Sequence, residues 1–418
     1  MTEVSDATRV TVRLRPLSMV DEGDGEVLVG DPESGEFIAI PKVGGVVIEA
    51  LLRGATMAEA AQEAERFAGE PVDVPSFVET LRELGYVDDG ERSEPSRSAP
   101  IQGRRWLSGV RQETVRPFFG RVAWTCYAVC AVFTIAVFVL RPSLFPNPTK
   151  DPFVTDDLGL GALILIPITL ASVASHEVGH WLAARALGVR ARFGVDRRAM
   201  VLLVFETDLT QVWTVPKRRR YSPLLAGIAF DFVLLAVALA LRLPISTGAL
   251  SPPVVVDQLL ATWIFAKLGG LLWQCMVFLR TDLYAVLVNV LGCRNLWEVS
   301  NLMLRRRFRG LTAEQADELA EAHPKDLRAA RWFQWVRMVG TLLVLAWAGF
   351  FLVPYVWELL RWAGARLVDG PGAGVFWWAL VSTVAALARL VLPVVLSIRE
   401  LATRLPVRRA TTEGGDET

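Results

Sequence analysis

Apolar and polar positions split the chain near residue 121 into a mixed first part and a greasy remainder. Beyond that point, apolar runs of about the 20 residues that a bilayer requires occupy 122–140, 158–184, 222–241, 258–279, 336–357 and 375–398. They predict six membrane-spanning helices. Upstream the periods are shorter. "VTVRLRPL" predicts a strand, and "GEVLVGDPESGEFIAI" predicts two more joined by a turn at Asp31–Gly35. "VGGVVIEALLRG" predicts a helix ending at Gly54. "TMAEAAQEAERFAG" predicts another, opened by a capping box of Thr56 and Glu59 and closed at Gly69. In "VPSFVETLRELGYV", Phe77, Leu81 and Leu84 recur at helical spacing. Three strands and three helices within 9–89 predict a small α+β domain of winged-helix-like build.

The fold class expected is therefore mainly α: a polytopic membrane helix bundle with a small N-terminal α+β domain. Residues 1–89 form the domain, 90–121 a linker and juxtamembrane segment, 122–400 the membrane part and 401–418 a tail. The stretch "GERSEPSRSAPIQG" has the Ser, Pro and Gly content of a linker. Composition agrees, with 52% hydrophobic residues and a mean hydropathy of +0.37 over 418 residues. Lys and Arg balance Asp and Glu at 44 each, and the small domain lacks a basic recognition helix, so no nucleic-acid partner is expected. Basic residues cluster in alternate loops, heavily in 185–221 and 280–335 and sparsely in 242–257 and 358–374. The positive-inside rule then places both termini in the cytoplasm of a multi-pass cell-membrane protein. The N-terminus lacks a basic segment followed by an apolar run, so no cleavable signal peptide is expected. Cys126, Cys130, Cys275 and Cys293 show neither a CxxC pair nor a disulfide-scaffold spacing, and the three that lie in apolar segments read as packed small residues.

Within the second apolar run, "SVASHEVGHWLAARALG" holds two of the chain's three histidines, four residues apart. On a helix that spacing puts His176 and His180 on one face, where they can grip one metal ion. Imidazole suits zinc, and Glu177 beside them can accept a proton from a zinc-activated water attacking a peptide carbonyl. An ionisable cluster in a spanning segment costs at least about 2.5–3.5 kcal/mol per charge at mid-bilayer, which mere packing does not justify. A hydrolytic zinc site needs a third ligand. His323, in the polar "EAHPKD", reads as a solvated surface histidine, and Glu206 and Asp208 lie in the loop "FETDLTQVW". Loop charges bring Asp282, where the fourth span ends, to the membrane level of His180. Asp231 sits roughly 13 Å further along its helix at 1.5 Å per residue, a poorer ligand but a plausible polar partner.

From 158 to 300 the chain resembles the site-2 protease class of intramembrane zinc metalloproteases, in its bacterial peptide zinc metalloprotease branch. "SHEVGHWLAARALGVRARFGV" carries the resemblance most strongly, and "ETDLTQVWTVPKRRRYSPLLAGIAFD" is similar to that branch's connecting segment. In that family a second motif, Leu-Asp-Gly followed by an aromatic residue, supplies the third zinc ligand, which the resemblance puts on Asp282. Thr281 and Leu283 stand where the family has leucine and glycine, so the local backbone is expected to differ. Residues 9–89 resemble PqqD-like domains, on "EVLVGDPESGEFIAI", "GGVVIEALL" and "FVETLRELGYV". The resemblance implies that they take a leader peptide by strand addition, in a ribosomal peptide pathway.

Together these readings imply a membrane-embedded zinc endopeptidase acting on a peptide or membrane-protein substrate near the cytoplasmic face, in maturation, export or immunity. His176, His180 and Asp282 would be its metal ligands and Glu177 its general base. Two alternatives stand beside it: a non-proteolytic zinc-binding partner of a peptide exporter, and a peptide-binding membrane sensor.

Overall fold

The computed structural model describes residues 11–88 except 24 and 32–36, residues 104–105, and residues 110–404 except 149, 153, 156, 190, 199–201, 348 and 350–352. The expected tail falls almost wholly outside them. The N-terminal domain is an antiparallel sheet of β1 (Ser18–Asp21), β2 (Glu26–Gly30) and β3 (Phe37–Pro41) in that order. Against it pack α1 (Lys42–Leu52), α2 (Met57–Ala68) and α3 (Val74–Glu83), around Val29, Val47, Ile48, Val78 and Leu81. The expected first strand shifts. "VTVRLRPL" makes only isolated bridges, Thr11 to Thr56 and Leu14 to Val87, and the regular strand begins after Leu17. Pro16, without an N–H, does not join the ladder. The capping box forms: the Thr56 hydroxyl accepts from the Glu59 N–H at 3.3 Å and the Glu59 carboxylate accepts from the Thr56 N–H at 2.8 Å. Those bonds hold the Glu59 carboxyl below its ordinary range.

Four helices among the described residues are long and apolar enough to cross a membrane: α4 (Arg121–Leu140), α5 (Leu158–Ala186), α6 (Lys217–Ser246) and α7 (Val254–Gln274). Val122, Val129, Val132 and Val139 of α4 are exposed, an apolar face that suits lipid rather than water. The third span starts earlier than expected because "KRRRY" continues the helix from Pro216; arginine and lysine are good helix formers. The fourth ends earlier, at Gln274. The helices α8 (Asp282–Leu291), α9 (Leu296–Phe308), α10 (Ala313–Glu321), α11 (Pro324–Trp347), α12 (Val353–Leu367) and α13 (Gly374–Arg404) follow. The expected fifth span covers the end of α11 and the start of α12, with residues 348 and 350–352 outside the described ones. The sixth lies on α13.

Between α5 and α6 a hairpin of β5 (Arg192–Arg198) and β6 (Leu202–Asp208) is extended by β4 (Arg104–Arg105), a piece of the expected linker. Further on, the same segment caps α5: the Gln112 amide donates to the Ala186 carbonyl at 3.2 Å, and Arg185 donates to the Val110 carbonyl at 3.0 Å. The first bond satisfies a carbonyl that a helix C-terminus leaves unpaired, and the second ties the segment to the last turn of α5.

Two ion pairs fasten the N-terminal domain to the membrane part. Glu22 pairs with Arg220 of α6, and Glu26 pairs with Arg294 just after α8. Arg220 is only 2% exposed, stacks on Trp213 and also donates to the Val215 and Trp213 carbonyls. Removing one partner of a buried pair strands the other charge, so Glu22→Ala is expected to weaken docking by about 3 kcal/mol. Glu26→Ala, beside the half-exposed Arg294, should cost at most about 1 kcal/mol. Hydrogen exchange at β1 and at the start of α6 measures both; equal, negligible effects would place the anchor elsewhere.

Candidate metal centre

The second long helix, α5, carries the motif. Asp157 caps its start, accepting from the Leu160 N–H at 2.9 Å, and Gly188, at φ +82°, lets the chain leave beyond its end. Within it His176 and His180 lie one turn apart, both buried. Facing them is α6, held very close. A Cβ on Gly179 would lie 2.8 Å from the Ala226 carbonyl oxygen. A Cβ on Gly227 would lie 2.4 Å from His180 Nε2 and 2.5 Å from His176 Nε2. The rings therefore fill the space that glycine leaves.

Three ligand atoms converge there. His176 Nε2 and His180 Nε2 are 3.0 Å apart, and Asp282 Oδ2 lies 2.8 Å from the first and 3.0 Å from the second. Their other nitrogens are engaged. His180 Nδ1 lies 2.6 Å from the Pro223 carbonyl, which can only accept, so this nitrogen carries the proton. His176 Nδ1 lies 2.7 Å from Asp231 Oδ2. On a ring whose Nδ1 carries its only proton, Nε2 directs a lone pair at the Asp282 carboxylate. Converging acceptors repel one another unless a cation sits among them, and a carboxylate or carbonyl behind each ligating histidine is the usual arrangement at metal sites. Tetrahedral bonds of 2.0–2.1 Å would separate the ligand atoms by roughly 3.3 Å, so outward shifts of a few tenths of an ångström would admit an ion. The residues fit a metal.

Asp282 is delivered by the first turn of α8, where a helix N-terminus favours a carboxylate. The preceding turn is pinned by Gln274, the last residue of α7. Its carbonyl accepts from the Thr281 hydroxyl at 2.8 Å, and its side-chain oxygen accepts from the Asp282 N–H at 2.9 Å. Its amide nitrogen then faces His176 Nε2 at 3.2 Å. Leu283, the expected irregularity, lies inside regular helix. The left-handed residue is Arg280, at φ 60°, whose guanidinium lies over Trp297 at 5.7 Å. The chain turns before the motif, so position 283 has no need of glycine.

The other sequence candidates separate. Glu177 is half-buried on α5, and its backbone carbonyl accepts from the Thr207 hydroxyl of β6 at 2.9 Å. Asp231 proves nearer than its distance along α6 suggested, because His176 lies one turn, about 6 Å, deeper than His180. It contacts that ring from behind and does not join the three ligand atoms. His323 lies elsewhere, 3.9 Å from Glu26. Asp208 ends β6 outside the group, and the Glu206 side chain is outside the described residues. Sequence reasoning passed over Gln274 and Lys267. Lys267, a lone lysine within an apolar run of α7, is wholly buried and donates to Asp231 Oδ1 at 2.6 Å. An ionisable residue in a spanning segment was the signal for it.

Two outcomes follow from this geometry. Gly227→Ala is expected to empty the centre of metal, since the added methyl overlaps both Nε2 atoms; normal metal content in that variant would mean the rings do not ligate through them. Asp282→Ala should abolish stoichiometric binding, whereas Asp231→Asn should weaken it 10–100-fold, as loss of a supporting partner does. Elemental analysis and chelator competition distinguish these losses, and the reverse order would exchange the two roles. Comparison with known proteins gives no further guide, because no family model, no curated protein and no solved structure matches the chain.

Proposed function

We propose that the chain is a membrane-embedded zinc metalloendopeptidase that hydrolyses a peptide or membrane-associated substrate near the cytoplasmic face. The observation that carries this reading is the convergence of His176 Nε2, His180 Nε2 and Asp282 Oδ2 with both Nδ1 atoms already engaged. A zinc ion held there would supply Lewis acidity, polarising a carbonyl and bringing the pKa of a water to about 7. Glu177, next to His176 on the same helix, takes the proton of the attacking water and returns it to the leaving amine. Gln274 offers its amide donor beside His176, where a substrate carbonyl oxygen can be held. Thr207 fastens β6 to the motif helix, and β6 pairs only with β5 among the described strands. An extended peptide laid along that open edge would run past the centre.

The N-terminal domain acts in this reading as the leader-peptide receptor. The outer edges of β1 and β3, which both pair with β2 on their inner side, carry no further strand among the described residues. Its anchors lie on α6 and just after α8, the elements that carry Gly227 and Asp282. A precursor whose leader adds to that sheet is held beside the centre, which suits maturation, export or immunity in a ribosomal peptide pathway. The rival reading, a zinc-binding partner of an exporter without proteolysis, needs a damaged second motif. The helical backbone at Leu283 favours the enzyme over that rival.

Glu177→Gln decides between them. Zinc content should stay at the wild-type level while cleavage of a cognate precursor falls by at least about 10²–10⁴, the usual contribution of a positioned general base. A variant that retained full cleavage would overturn the mechanism.

A further inference from the structure

We propose that Lys267 is a positioning residue for the metal centre: acting through Asp231, it fixes the direction and tautomer in which His176 presents Nε2. The proposal rests on the metalloprotease reading only in taking the group to bind a metal ion.

The ammonium of Lys267 has three protons, and the structure gives it three acceptors. They are Asp231 Oδ1 at 2.6 Å, Ser175 Oγ at 2.7 Å and the Ser172 carbonyl at 2.8 Å. The side chain is 0% exposed, and its nitrogen lies 5.3 Å from the Trp263 ring centre. Nothing of its hydrogen-bonding capacity is left over. Asp231 is held at both oxygens, Oδ1 by Lys267 and Oδ2 by His176 Nδ1, so its carboxylate has little freedom to rotate. The chain of contacts runs without a gap from α7 through α6 to the ligand on α5. An apolar residue would join α7 to its neighbours at lower cost, because a buried lysine in a spanning helix is expensive. What an apolar residue would not do is set the angle of Asp231.

A plain staple is the competing role, since Ser172 and Ser175 also tie α7 to α5. The roles differ in what they move: a staple affects stability, whereas a positioning residue affects the metal in protein that is folded. The full chain, purified in detergent as wild type, Lys267→Met, Asp231→Asn and the double variant, can be tested by chelator competition for zinc and by the visible absorption of bound cobalt. Lys267→Met is expected to lower zinc affinity 10–100-fold and to shift the cobalt bands. The double variant should bind no more weakly than Asp231→Asn alone, because both changes break one chain of contacts. Folded Lys267→Met with wild-type affinity and spectrum would overturn the proposal, as would losses that multiply in the double variant. If Lys267→Met does not fold, Lys267→Gln is read by the same measures; if neither folds, the residue is a staple and the proposal falls. Wild-type protein that holds zinc but cleaves nothing would remove the protease reading and leave this one standing. A wild type that binds no metal overturns both.

Discussion

The close approach of α5 and α6 is the constraint on which the rest depends. Gly179 puts one backbone against the Ala226 carbonyl, and Gly227 opens on the other helix the space that two imidazole rings fill. Between membrane helices no hydrophobic force draws the pair together, so small residues and the packing they allow must do it. At a wider separation His180 would lose the Pro223 carbonyl and His176 would lose Asp231. Both rings would then be free to turn, and the shared direction of their Nε2 atoms would be lost. Helix packing and ligand geometry are here one property.

Charge completes what packing begins. Lys267 is matched by Asp231, and both are buried. The carboxylate of Asp282 instead faces the two imidazoles. In a medium of low dielectric an unbalanced carboxylate beside two lone pairs is unfavourable, and a bound cation offsets all three at once. Had Lys267 been an apolar residue, Asp231 would have added a second uncompensated charge. The lysine on α7 thus distinguishes the two aspartates: Asp231 pairs with it, and Asp282 faces the histidines.

Much of this was legible in the sequence, for reasons that can be named. The capping box at Thr56 and Glu59, the glycine at 69 and the starts of α4, α5 and α13 are local features, and local periodicity specifies them. His176 and His180 were legible because a spacing of four on a helix has one geometric meaning. Asp231 was harder. Its distance from the helix end was the wrong measure, because contact across two helices depends on which turn of the partner lies opposite. Lys267 and Gln274 bring no motif with them; their roles exist only once α5, α6, α7 and the start of α8 are assembled.

Around Asp282 the backbone turns before the aspartate and not after it. A glycine after the aspartate would be required if the backbone turned left-handed there. In this chain the left-handed residue is Arg280, two positions before Asp282, and a non-glycine residue at positive φ is costly. The guanidinium over Trp297 and the two bonds from Gln274 to Thr281 and Asp282 offset that cost. With the turn completed early, α8 can begin at Asp282 itself, and its first-turn N–H groups favour the carboxylate. Leucine at 283 is then an ordinary helical residue. The aspartate is placed by the turn before it and the helix after it, so the identity of its immediate neighbour matters less than the two elements that meet there.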